Sequence, residues 1–244
     1  MSTDQKRARW FGALYLITFA TSIPALLLFQ PVLDDPVGYI ASGEHDTRVL
    51  LGAFLELLLI ISGIGTAVVI APIMWRHYKD LAIGYVTARL LECTFILVGL
   101  VAVLGIITLG NQDAGASEGT LAYTLAAIKD WTFLLGPGWV VGWGNGLILG
   151  YMMYRSGLVP RPWPWLGMIG GPLLILTGTL ILFGGNDPSS GLRSLQGLAT
   201  VPEAAWELFL GVYCLIWGFR KDAPILAAGD EPEASAPTAA LSPA

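Results

Sequence analysis

Residues Val49 to Trp75 read VLLGAFLELLLIISGIGTAVVIAPIMW, and Glu56 is the one ionisable side chain among them. About 20 apolar residues in a helix cross the hydrocarbon of a bilayer, so this stretch is long enough to span one. Five further runs have the same character: Trp10 to Phe29, Leu81 to Leu109, Trp131 to Tyr154, Trp163 to Phe183 and Val201 to Phe219. All are rich in Leu, Ile, Val and Gly, without the short alternating segments of an outer-membrane barrel. The expected fold is therefore all-α, a bundle of six transmembrane helices. Composition agrees, because 55 % of the 244 residues are hydrophobic and 13 % charged, against about 25 % charged in soluble domains.

The spans divide the chain into an N-terminal segment (1–9), a six-helix domain (10–220) and a tail (221–244). The tail is rich in Ala, Pro, Glu and Asp; too apolar-poor to build a core, it is expected to be disordered. No small-residue cleavage motif follows the first span, which reads as a retained helix. Lys6, Arg7, Arg9, Arg76, Lys79, Arg155, Arg161, Arg220 and Lys221 fall on one side, against Arg48, Lys129 and Arg193 on the other. Positive loops face the cytoplasm, so both termini are expected there and the chain reads as a multi-pass protein of the inner (plasma) membrane. The acidic residues Asp34, Asp35, Glu44, Asp46, Asp113, Glu118 and Asp187 collect on the outer side. They and the tail account for much of the net charge of −5, and nucleic acid is not an expected partner.

No cofactor or metal is expected. His45 and His77 lie in loops on opposite sides, which excludes a bis-histidine haem within one chain. Cys93 and Cys214 sit at different depths, too far apart for a disulfide. No phosphate-binding glycine loop or nucleophile elbow occurs, and no Asp cluster for magnesium lies within a span.

Pro24, Gly136-Pro137-Gly138 and Gly170-Gly171-Pro172 interrupt the helices, either as kinks or as cavity walls. Gly142, Gly146 and Gly150 have small-xxx-small spacing, which permits close helix approach and places the fourth span centrally. The apolar run Leu121 to Ile128 before that span is either an interfacial helix or an extension of the fourth helix.

Charges inside hydrocarbon cost roughly 2.5–3.5 kcal/mol each on insertion scales, so those retained within spans define the candidate site. At about 1.5 Å per residue, Glu56, Arg89 and Glu92 fall in the middle zone. Arg89 and Glu92 are three apart and share a face, and a forked guanidinium can engage two carboxylates, so a triad of Glu56, Arg89 and Glu92 is expected. Glu203 and Glu207 share a face of the sixth span. The fourth adds Asn145 and, at its outer end, Asp130, while Trp143 and Trp206 are candidate aromatic walls. The plain alternative is that these charges pair off between helices and Asn145 bonds a neighbour, with no guest involved.

Several segments in order carry a resemblance: Gly12 to Phe19, Asp46 to Gly52 leading to Glu56, Gly84 to Glu92, Asp130-Trp131 to Gly138, Gly144-Asn145-Gly146, Tyr154 to Arg161, and Pro202-Glu203 to Glu207. Together they resemble the bacterial membrane-protein family known as domain of unknown function 4386, over roughly residues 8 to 220. The resemblance implies a six-helix bacterial inner-membrane protein and supplies no activity or catalytic residue.

Three functional readings follow from the charged spans. The first is binding, with or without chemical transformation, of a lipophilic small molecule in an acidic and aromatic intramembrane pocket. A proton-coupled small-molecule transporter uses the same carboxylates as carriers of protons. In the third, a non-catalytic membrane partner or sensor, the charges only set helix register. The bilayer is a partner in all three, and oligomeric state is not encoded in any motif.

Overall fold

The computed structural model of the chain describes residues 1–42, 46–110, 118–184 and 191–227. The expectations for Glu44, His45, Asp113 and Asp187, for segment 111–117 and for the tail from 228 onward lie outside the described residues.

Six helices are long and apolar enough to cross a membrane. They are α1 (Thr3–Asp34), α3 (Asp46–Met74), α4 (Lys79–Gly110), a fourth span running from α5 (Glu118–Phe133) through α6 (Gly150–Ser156), α7 (Pro164–Gly184) and α8 (Gly191–Ile216). Two short helices, α2 (Pro36–Ser42) and α9 (Pro224–Ala227), complete the described elements. Each span packs on its neighbours in sequence, and α8 closes back on α1. The six form a ring in chain order.

Local chemistry sets the ends. Asp35 accepts a hydrogen bond from Gly38 N at 2.9 Å and Pro36 opens α2, the usual cap followed by a residue that needs no amide partner. Ser2 caps α1 by accepting from Gln5 N at 3.3 Å. Gly157, at φ 67°, lies just past α6 and Gly218, at φ 75°, just past α8. Their amides return to Met153 O and Cys214 O, closing the helices in the left-handed geometry that glycine adopts without strain.

The terminal end of the bundle is laced together. Arg76 bonds both oxygens of Asp4 at 2.7 and 2.9 Å, and Gln5 donates to Phe219 O at 2.6 Å. Ala223 and Ile225 are buried in the same core as Phe11, Ile70, Met74, Met152 and Phe219, so ordered packing runs past residue 220. A second apolar core, with Phe29, Val32, Val49, Leu100, Val103 and Ile106, fills the opposite end.

The fourth span is the most buried of the six, at 61 % of its apolar window, as the glycine spacing anticipates. A Cβ on Gly142 or Gly146 would meet the α7 backbone at Gly171, and one on Gly150 would meet Pro164 O. Its first part resolves the alternative at Leu121 to Ile128: this run is the extension of the fourth helix, with Ala122 and Ala126 in the second core. The Gly136-Pro137-Gly138 break takes the form of two π-helical turns, Leu134–Val140 and Gly142–Leu149. Wide turns of this kind are rare and recur beside functional sites. Cys93 and Cys214 are both buried free thiols.

Candidate functional site

Between the two apolar cores lies a cavity of about 330 Å³. Thr18, Ser22, Ile23 and Leu26 of α1 line it with Glu56 of α3, Arg89 and Glu92 of α4, Lys129 and Phe133 of α5, and Thr200, Glu203, Ala204 and Glu207 of α8. Its mouth is lateral. Ile23, Leu26 and Phe133 line it and are also 55, 46 and 43 % exposed, at positions inside the membrane-length runs. A Cβ on Gly12 would run into the α8 backbone from Gly211 to Leu215, so the helices touch near the termini, and the exposed lining lies beyond that contact.

Two buried ion pairs sit in the wall. Arg89 Nη1 bonds Glu92 Oε2 at 2.7 Å within α4, and Lys129 Nζ bonds Glu56 Oε1 at 2.5 Å between α5 and α3. Arg89 also donates to Gly63 O at 3.3 Å, and its guanidinium stands 5.6 Å from the Tyr15 ring centroid. Lys129 Nζ lies 5.0 Å from the centroid of Phe29. Below Arg89 the hydroxyls of Tyr15 and Tyr85 meet at 3.1 Å, and Tyr85 meets Thr66 at 3.4 Å. This short polar chain ends against the terminal core.

The α8 carboxyls are held differently. Glu207 accepts a hydrogen bond from Asn145 Nδ2, and Trp206 Nε1 donates to Asn145 O at 3.0 Å. The π-helical turn around Asn145 is thereby tied to α8 at two points. Glu203 packs where Gly146 and Gly170 have no side chain, since a Cβ on either would meet its carboxylate at 2.9 and 3.0 Å. It is 2 % exposed, and both of its oxygens lack a hydrogen-bond partner. Glu203 lies within electrostatic reach of Glu207, Glu92 and Arg89.

Residues 10–218 match the family model described as Domain of unknown function (DUF4386). The chain belongs to this family. No curated protein and no solved structure matches the chain significantly.

Set against this DUF4386 fold, the residues singled out from the sequence sort into three groups. Glu56, Arg89, Glu92, Glu203 and Glu207 converge on one cavity. The triad is corrected, however: Glu56 pairs with Lys129, and Arg89 keeps to Glu92 and Gly63 O. Asn145 and Trp206 are buried behind the wall and do not line the cavity: Asn145 donates to Glu207, and Trp206 donates to Asn145 O.

Two candidates lie elsewhere. Trp143 is 46 % exposed on the outer face of the ring, against Trp139 at 6.1 Å between centroids, because its position in the π-turn points away from α8. Asp130 bonds Arg193 of α8 and does not line the cavity. The aromatic lining is phenyl, from Phe19 and Phe133, rather than indole. Lys129 was missed as a site residue: assigned to a loop, it is a buried residue of α5. Treating Leu121 to Tyr154 as one continuous helix would have put it among the charges inside a span.

Proposed function

We propose that this DUF4386 protein binds a lipophilic small molecule in the cavity between its two apolar cores, reached sideways from the bilayer. One observation carries the reading: a chamber of about 330 Å³ opens through Ile23, Leu26 and Phe133, on the surface that faces hydrocarbon. That volume is within the roughly 300–1,000 Å³ of small-molecule sites, which are apolar with a few placed polar groups. A guest entering between α1 and α8 would leave the lipid without crossing water. We place the protein in the bacterial inner membrane with both termini cytoplasmic. The basic bias supports this and grows once Lys129 is removed from the outer loops, because it is buried against Glu56.

Filling the cavity without touching a charge tests the idea. Ala204 lines it from α8, and Ala204→Phe should place a phenyl ring in the void and obstruct it. Wild type and variant would be purified into nanodiscs, checked for equal helicity and cooperative melting, and their retained small molecules compared by mass spectrometry. A hydrophobic species enriched in wild type and lost from Ala204→Phe supports binding. An identical profile in two equally folded proteins rejects it. If Ala204→Phe does not fold, Ser22→Phe fills the same space from α1.

A further inference from the structure

Six ionisable side chains with full charges at neutral pH in water line the cavity: four carboxyls, Glu56, Glu92, Glu203 and Glu207, face two cations, Arg89 and Lys129. Each cation is already committed, Arg89 to Glu92 and Lys129 to Glu56. Glu207 is hydrogen-bonded by the neutral amide of Asn145 and feels Arg89 only at longer range, and Glu203 has no hydrogen-bond donor on either oxygen among the described residues while being almost fully buried. A buried polar atom left without a partner is costly, and more so if charged. None of the described residues supplies the missing donor.

Resting on the cavity reading above, we propose that the guest is an amphipathic organic amine whose ammonium group is bound by Glu203 and Glu207, with its hydrocarbon lying toward the mouth at Ile23, Leu26 and Phe133. An ammonium matches the site in sign and in having several N–H donors, and it meets the Glu203 oxygens, which are sealed from the cavity beside Gly146 and Gly170, once that carboxyl turns toward Glu207. A metal ion matches less well. Among the described residues no group of three or more His, Cys, Asp or Glu is placed to hold one, and the remaining wall is largely aliphatic and phenyl. An anionic lipophile would meet two carboxyls with no spare cation. The glycines at 146 and 170 fit the same scheme, since they leave the space in which the Glu203 carboxyl sits.

Matched eight-carbon probes separate charge from lipophilicity. Octylammonium, octanol and octanoate would be titrated by equilibrium dialysis against the full chain in nanodiscs, with empty nanodiscs subtracted. The expected result is octylammonium bound at least about tenfold more tightly than octanol, with octanoate weakest. Glu203→Gln, which keeps shape and removes charge, should erase that preference while octanol binding persists. Glu207→Gln should weaken it severalfold and serves as the second variant if Glu203→Gln does not fold. Ala204→Phe should abolish binding of all three. Equal binding of octanol and octylammonium by wild type, or an unchanged preference in both Gln variants, overturns the amine assignment and leaves the cavity reading standing; that outcome fits a Glu203 that simply holds a proton. No specific binding of any probe overturns both.

Discussion

Removing the amine of Lys129 should be among the most damaging single changes to this bundle. Lys129 and Glu56 are 4 and 7 % exposed, and their charged ends touch at 2.5 Å. Lys129→Met keeps the length and apolar stem of the side chain but strips Glu56 Oε1 of its partner, beside an Oε2 that already lacks one. Breaking a buried pair by taking one member typically costs about 3–5 kcal/mol, whereas replacing both members by apolar groups is often neutral. The lower end, about 3 kcal/mol, is expected here because Glu56 borders a cavity that can admit water. Glu56→Leu should cost a similar amount by stranding the ammonium, and the double variant should recover most of the loss. The assay is a double-mutant cycle, with denaturation in mixed micelles followed by circular dichroism. A coupling energy of at least about 2 kcal/mol is expected; a value under about 0.5 kcal/mol, typical of exposed pairs, would refute the pairing.

Two further outcomes test other parts of the structure. Gly146→Ala should destabilise by about 1–3 kcal/mol through overpacking, since its Cβ would meet Gly171, Gly167 O and the Glu203 carboxylate, whereas Gly197→Ala, with nothing within 4 Å, should be neutral or stabilising by up to about 1 kcal/mol; melting temperatures of the two variants measure the contrast. Outside the membrane, hydrogen bonds from Arg220 hold the Asp222 carboxyl below its ordinary value of 3.8. Its contribution is therefore present above about 3.8 and disappears as pH falls through the lower folded value, and carboxyl NMR should show Arg220→Ala returning the titration upward.

The chain's own order of residues determined the class, the number of spans and much of the site. Six runs of membrane length leave no soluble alternative, and the expense of charge in hydrocarbon marks Glu56, Arg89, Glu92, Glu203 and Glu207 before any coordinates are seen. Glycine spacing in the fourth span was equally readable, because close approach needs small residues whatever the partner; that the partner is α7 was not.

Only tertiary packing decided who pairs with whom. A carboxylate in a helix accepts any cation that a neighbouring helix brings within reach, and local sequence is silent on which face of α5 meets α3, so Lys129 displaced Arg89 as the partner of Glu56. The π-helical turns have the same lesson, since they rotate the side chains that follow: Asn145 goes inward to Glu207 and Trp143 outward. The cavity itself is a property of the ring closure between α1 and α8, contacts about two hundred residues apart in sequence, and the empty space left where those helices separate has no residue to announce it.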